Sequence, residues 1–161
     1  MRYVMKQKLL SWGDDFHIRD ADGNDAFFVD GKAFSLGDRL SFKDLAGAEL
    51  AHIKQKVLSW RATYEIYRDD RLAATVRKRP FTFFKAKFDV GVPGPDDLTV
   101  EGDFLAHEYR FTRDGQPVAT VSKQWFSWTD TYGVDIADGE DDVVLLAAAV
   151  AIDMMCHADK D

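Results

Sequence analysis

The chain has 161 residues, of which 46% are hydrophobic and 30% charged, the size and composition of one folded domain and too apolar for a disordered one. A single cysteine excludes a disulfide framework or a cysteine-built zinc site and points to a reducing, cytoplasmic setting. A net charge of −7 argues against a general nucleic-acid binder, and 13% aromatic residues favour β-structure.

The N-terminal segment MRYVMKQKLLSW is interrupted by charges and lacks the apolar stretch and small-residue cleavage site of a secretory leader. Alternation and turn signals then divide residues 3–10, 15–20, 26–34 and 39–43 into four short strands, punctuated by Trp12-Gly13, Asp22-Gly23 and Leu36-Gly37. A second group starts near Glu49 and includes 64–67, 72–78 and 86–90. A third covers 99–105, 109–113, 118–125 and 132–136, with Asp114-Gly115 as a tight hairpin signal. The Pro/Gly cluster Val92-Pro93-Gly94-Pro95 reads as a loop between groups.

These groups are copies of one unit. KQKLLSW at 6–12 returns as KQKVLSW at 54–60, an offset of 48 that also aligns Phe16 with Tyr64 and Ile18 with Ile66. At an offset of 45, Tyr64, Arg68, Asp69, Ala74, Val76 and Lys78 return as Tyr109, Arg113, Asp114, Ala119, Val121 and Lys123.

The last element differs in kind. Residues 143–152 read VVLLAAAVAI and follow the acids Asp138, Glu140, Asp141 and Asp142, which suit the positive end of a helix dipole. The run is shorter than the roughly 18–20 residues of a membrane span. As a helix over about 139–156 it is apolar on both faces, Val143-Ala147-Val150-Met154 and Leu145-Ala149-Ile152-Cys156. A helix apolar all round is buried all round. Three four-stranded units give about twelve antiparallel strands, and a barrel of more than about eight leaves a hollow that a helix fills. An open two-sheet sandwich would leave one helix face exposed. The expected fold is therefore mainly β: a closed antiparallel barrel of strands over about 2–137 around a C-terminal apolar helix, in a single domain over 1–161. Asp153, the polar intrusion in the helix, is expected near the open end of the barrel.

With the KQK-x-LSW repeat, the Asp44-Leu45-Ala46-Gly47-Ala48-Glu49-Leu50 turn and the Asp130-Thr131-Tyr132-Gly133-Val134-Asp135-Ile136 ending, the chain resembles the LURP-one-related branch of the Tubby C-terminal-like, scramblase-like superfamily. The resemblance covers nearly the whole chain. It implies the barrel-and-helix fold and a non-enzymatic protein. Tubby relatives bind phosphoinositides through basic residues on the barrel, and scramblases bind calcium.

No catalytic or cofactor pattern emerges from the residues. His17, His52, His107 and His157 show no metal-ligand spacing and the first three read as strand residues, while Cys156 reads as a buried, inert thiol. Asp20-Ala21-Asp22-Gly23-Asn24-Asp25 matches a calcium loop at its first, third and fifth positions, but Asp25 and Gly31 stand where Gly and Glu are required, so it reads as a hairpin turn. Gly31-Lys32-Ala33 lacks the rest of a phosphate loop, and no G-x-S-x-G or H-E-x-x-H occurs. The expectation is no enzyme, no metal and no cofactor.

The charge pattern carries the strongest signal. Residues 71–88 hold six basic residues and no acid, leaving 15 of the 21 Lys and Arg to face all 28 Asp and Glu elsewhere. Arg77, Arg79, Lys85 and Lys87 share one parity and would line one outer face, unless Pro80 shifts the register. Phe81, Phe83 and Phe84 lie between them, and Trp125, Phe126 and Trp128 match them in the third copy, which suits aromatic caps on the barrel mouth. The strip reads either as a solvated face or as a tentative site for an anionic, phosphoinositide-like headgroup. The competing reading is a protein-interaction or scaffold domain with no small-molecule ligand. A closed barrel has no free edge, so a monomer suffices.

Overall fold

The computed structural model describes residues 1–6, 15–31, 39–56, 62–79, 87–93, 97–125 and 131–158. Among these the alternating segments form twelve strands. They are β1 (Arg2–Lys6), β2 (Phe16–Asp20), β3 (Asp25–Asp30), β4 (Arg39–Lys43), β5 (Glu49–Gln55) and β6 (Thr63–Arg68), followed by β7 (Arg71–Lys78), β8 (Lys87–Gly91), β9 (Leu98–Asp103), β10 (Glu108–Arg113), β11 (Gln116–Ser122) and β12 (Thr131–Ile136). Each pairs antiparallel with its neighbours in sequence, and β1 pairs with β12 to close the barrel. No sandwich edge is left open.

The sequence repeat is visible as backbone geometry. Register shifts fall at Ile18/Arg19, Ile66/Tyr67 and Phe111/Thr112. These positions are spaced by the same 48 and 45 residues as the repeat. A bulge adds twist and curvature where a strand must bend around a barrel. The hairpin turns recur as well: Asp69 and Asp70 have φ of 49° and 58°, and Asp114 and Gly115 have 51° and 79°. Two consecutive positive φ angles are the signature of the hairpin turn that matches strand twist. The 20–25 segment is also a turn, in which Asp20 Oδ1 accepts the N–H groups of Asp22 and Asn24 at 2.9 Å each.

The interior is filled by α1 (Asp142–Ala158). Residues Leu146 to Ile152 are wholly buried on every side, because inward Ile, Val, Leu and Phe side chains of the wall meet them. The small Ala147, Ala148 and Ala149 keep the helix thin enough to fit. It starts later than the sequence suggests, since Gly139 turns the chain with φ 85° and Asp141 caps the helix by accepting the Val144 N–H at 3.2 Å. Three strands fasten this end. Tyr3 on β1 donates to Asp142 at 2.5 Å, Arg68 on β6 reaches Asp141 at 2.6 Å, and Arg113 on β10 forks onto Glu140 at 2.7 and 3.1 Å. Arg68 and Arg113 are equivalent positions of the repeat, so duplication supplied two clamps on one helix start.

Candidate functional site

Alternation decides which side chains of β7 and β8 face outward. Ala74, Val76, Phe88 and Val90 point into the core, which leaves Arg77, Arg79, Lys87 and Asp89 on the exterior. The shared parity expected for the strip therefore holds for Arg77, Arg79 and Lys87. Lys85 lies outside the described residues, as do Pro80, the three phenylalanines, Phe126 and Trp128. Trp125 is described, and Arg2 stacks its guanidinium 4.2 Å from the indole centre.

The strip is not bare positive charge. Arg79 Nε donates to both Asp89 oxygens at 2.9 and 3.0 Å, and its Nη2 lies 2.7 Å from the same carboxylate. This contact holds Arg79 still more firmly protonated. Lys87 lies 3.4 Å from Glu101 on β9. Further round, Glu101 faces Arg110, Arg110 faces Thr120, Thr120 faces Asp135, and Asp135 pairs with Arg2 at 3.6 Å. The exterior thus carries a belt of alternating sign. Arg77 faces Asp89 in the ladder in the same way but, like Arg110, is exposed with no carboxylate paired to it among the described residues.

Arg77 and Arg79 open onto a groove of about 620 Å³ across β7, β8 and β9. Leu72, Val92, Pro93 and Leu98 give it an apolar side, and Asp89 and Asp97 give it acid. A second groove of about 520 Å³ crosses β9 to β11 around Gly102, Glu108 and Arg110.

A second polar cluster is buried, and sequence reasoning missed its composition. Asp153 is 2% exposed, shut in beside the turn that joins β9 and β10. Its Oδ1 lies 3.1 Å from His107 Nε2, and its Oδ2 accepts the Tyr132 hydroxyl at 2.7 Å. Since a carboxylate only accepts, His107 carries its proton on Nε2. His107 is not a strand residue. It ends the turn between β9 and β10 with φ 53°, which swings its ring inward to stack 4.4 Å from Tyr132. Burial, followed by the Asp153 charge, pushes the phenols of Tyr109 and Tyr132 well above the ordinary tyrosine range. Cys156 is half-buried rather than buried, and unbridged.

On the exterior of β4 and β5, Ser41, Glu49 and His52 form a third cluster. Ser41 donates to Glu49 Oε2 at 2.6 Å, and His52 Nδ1 lies 3.3 Å from Glu49 Oε1. Burial alone would raise the Glu49 carboxyl, but Ser41, Arg39 and His52 outweigh it and hold it below the usual range. A nucleophilic serine needs a general base, such as histidine or lysine, within hydrogen-bond reach. Here both groups point at the carboxylate, and Ser41 is buried, so the trio is a polar network around Glu49, which Arg39 also reaches at 2.6 Å. Among the described residues, no group of three or more His, Cys, Asp or Glu side chains could hold a metal ion.

The family model described as LURP-one-related matches residues 1–153. The chain belongs to the LURP-one-related family. The Bacillus subtilis (strain 168) protein YxjI, itself uncharacterised, is 40% identical over 158 residues, covering 98% of this chain and 94% of that one. An Arabidopsis thaliana protein solved by X-ray crystallography superposes with a TM-score of 0.68 over 97% of this chain and 91% of its own, at 18% identity. That likeness speaks to the fold: a closed barrel around a helix, the Tubby C-terminal-like arrangement. A LURP-one-related barrel whose interior is filled by its own helix fits a non-enzymatic binding module. No described helix is long and apolar enough to cross a membrane.

Proposed function

We propose that this chain is a binding module that receives an anionic group, of the kind a phosphoinositide headgroup carries, in the groove over β7 to β9. The observation that carries the reading is Arg77, exposed at the groove with no carboxylate partner among the described residues, beside an Arg79 held in place by Asp89. A fixed guanidinium loses less freedom when it binds phosphate, and a free one supplies the uncompensated charge. Lys87 takes a lesser part, because Glu101 already faces it, and Lys85 extends the strip in sequence.

Vesicle co-sedimentation tests this reading. Wild type is retained by phosphoinositide vesicles at low salt and released as salt rises, since exposed charges are screened beyond about 8 Å at physiological ionic strength. Each basic residue near an anionic surface contributes about 1 kcal/mol, so Arg77→Glu lowers retention at least roughly fivefold. The melting midpoint stays put, because an exposed charge adds little to folding. Equal retention of both proteins, or none of wild type at low salt, would pass the barrel exterior to the protein-partner reading.

A further inference from the structure

The groove holds a feature that anion binding alone leaves unexplained. Gly91 ends β8 on the outward side, directly across from Thr75 and two residues along from the Arg77–Asp89 pair. Its φ does not demand glycine. A Cβ built there would meet Asp97 Oδ1 at 3.8 Å and the Thr75 carbonyl at 4.0 Å, both ordinary contacts. Glycine in a strand weakens it, and marks a bulge, a bend or a place where a ligand or another backbone approaches closely. Neither conformation nor packing among the described residues accounts for Gly91. An open backbone floor in the middle of a groove does.

The chemistry around that floor is two-signed. At one end stand Arg77, with no carboxylate partner among the described residues, and Arg79, held by Asp89. At the other stands Asp97, exposed, whose Oδ1 accepts the Val92 N–H at 3.1 Å while Oδ2 has no partner among the described residues. The two rows lie about 7 Å apart along the strands. A purely anionic ligand would meet Arg77 favourably and Asp97 unfavourably.

Resting on the anion-binding reading of the groove, we propose that its ligand is a zwitterion: a phosphate on Arg77 and Arg79, a primary ammonium on Asp97, and a short carbon stem lying over Gly91. The shared chemistry is that of phosphoethanolamine, either free or as the headgroup of a lipid, and Leu72 and Val92 form the apolar wall beside it.

Amide-resolved NMR titration of the full chain separates the claims. Phosphoethanolamine should bind about tenfold more tightly than ethyl phosphate, which keeps the anion and lacks the ammonium. Asp97→Asn should erase that difference, with ethyl phosphate binding the variant at least as tightly as it binds wild type. Gly91→Val should lose both ligands with an unchanged or raised melting midpoint, since valine suits a strand. Vesicles containing phosphatidylethanolamine, compared with phosphatidylcholine, then assign the source. Retention on the former identifies a lipid, and saturation by the free compound without retention identifies a soluble ligand. Equal affinity of wild type for phosphoethanolamine and ethyl phosphate, with Arg77→Glu abolishing both, overturns the zwitterion and leaves the anion reading standing. Binding of neither overturns both. A Gly91→Val protein that binds as wild type does removes the floor from the argument.

Discussion

Replacing Asp153 with alanine tests whether the buried cluster holds the helix in its barrel. Asp153 is 2% exposed, and its two oxygens are taken by two different parts of the wall, His107 between β9 and β10 and Tyr132 on β12. An apolar helix with an alanine waist has little else inside the barrel to fix its rotation. Removing the carboxylate orphans both the His107 Nε2–H and the Tyr132 hydroxyl in a dry interior. A stranded donor costs about 1–3 kcal/mol, so the two together cost about 2–6 kcal/mol. For a chain of this size each kcal/mol moves the midpoint by about 2–4 °C, so Asp153→Ala should melt about 4–24 °C below wild type. Tyr132→Phe removes one contact and should cost about 1–3 kcal/mol. Because the two residues share one hydrogen bond, the double variant should fall short of the sum by about 0.5–3 kcal/mol. Urea unfolding followed by circular dichroism gives all four corners of the cycle. An Asp153→Ala protein within about 1 kcal/mol of wild type, or strictly additive effects, would mean that wall packing and the clamps on the helix start seat the helix without this cluster.

The buried phenols set an alkaline limit. Tyr109 and Tyr132 are held well above the ordinary range by burial and by Asp153, so the native state resists their ionisation. A folded pKa raised above the unfolded value of about 10 gives stability that is complete below that pH and lost as pH rises above it. Absorbance at the tyrosinate band should therefore rise for these two phenols only together with loss of the β-sheet signal; a full titration of a still-folded protein would contradict the burial argument. Gly102 should tolerate nothing larger. It has φ 145°, and a Cβ there would sit 2.4 Å from the Glu108 carbonyl oxygen and 2.6 Å from Tyr109 Cα, both backbone. Gly102→Ala should cost upwards of about 3 kcal/mol, whereas Gly115→Ala, strained only by its φ of 79° with open space around it, should cost about 1 kcal/mol. Thermal melts of the two variants decide it, and equal losses would refute the steric account.

The barrel was legible because its determinants are local. Outward and inward residues alternate within each strand, and the 48- and 45-residue offsets turned out to repeat the bulge positions as well as the side chains. The helix was legible because apolar residues occupy both of its faces. Its first residue was not, since Gly139 and the Asp141 cap sit inside what reads as one acidic lead-in. The turn holding His107 was likewise hidden: Phe104-Leu105-Ala106-His107 contains none of the usual turn residues, and the positive φ falls on histidine. Asp153 stood out as an anomaly, but its partners lie 46 and 21 residues away, and no periodicity links them.

The basic strip shows the same boundary from the other side. An acid-free stretch from 71 to 88 suggested an unopposed positive face, yet Asp89 is the next residue and lies directly across from Arg77 in the ladder. Glu101 lies across from Lys87. Charge segregation along a chain becomes charge pairing across a sheet, because a side chain's nearest outward neighbours in a barrel sit on adjacent strands about 5 Å away. Asp89 is committed to Arg79, so Arg77 keeps its charge although an acid stands opposite it. At the edge of the groove, Arg77 is thus the guanidinium that no carboxylate holds among the described residues. The groove's floor is a glycine that the backbone does not require, and its far end is an exposed carboxylate. Recognition on this barrel would then rest on the spacing of two opposite charges rather than on the sum of like ones.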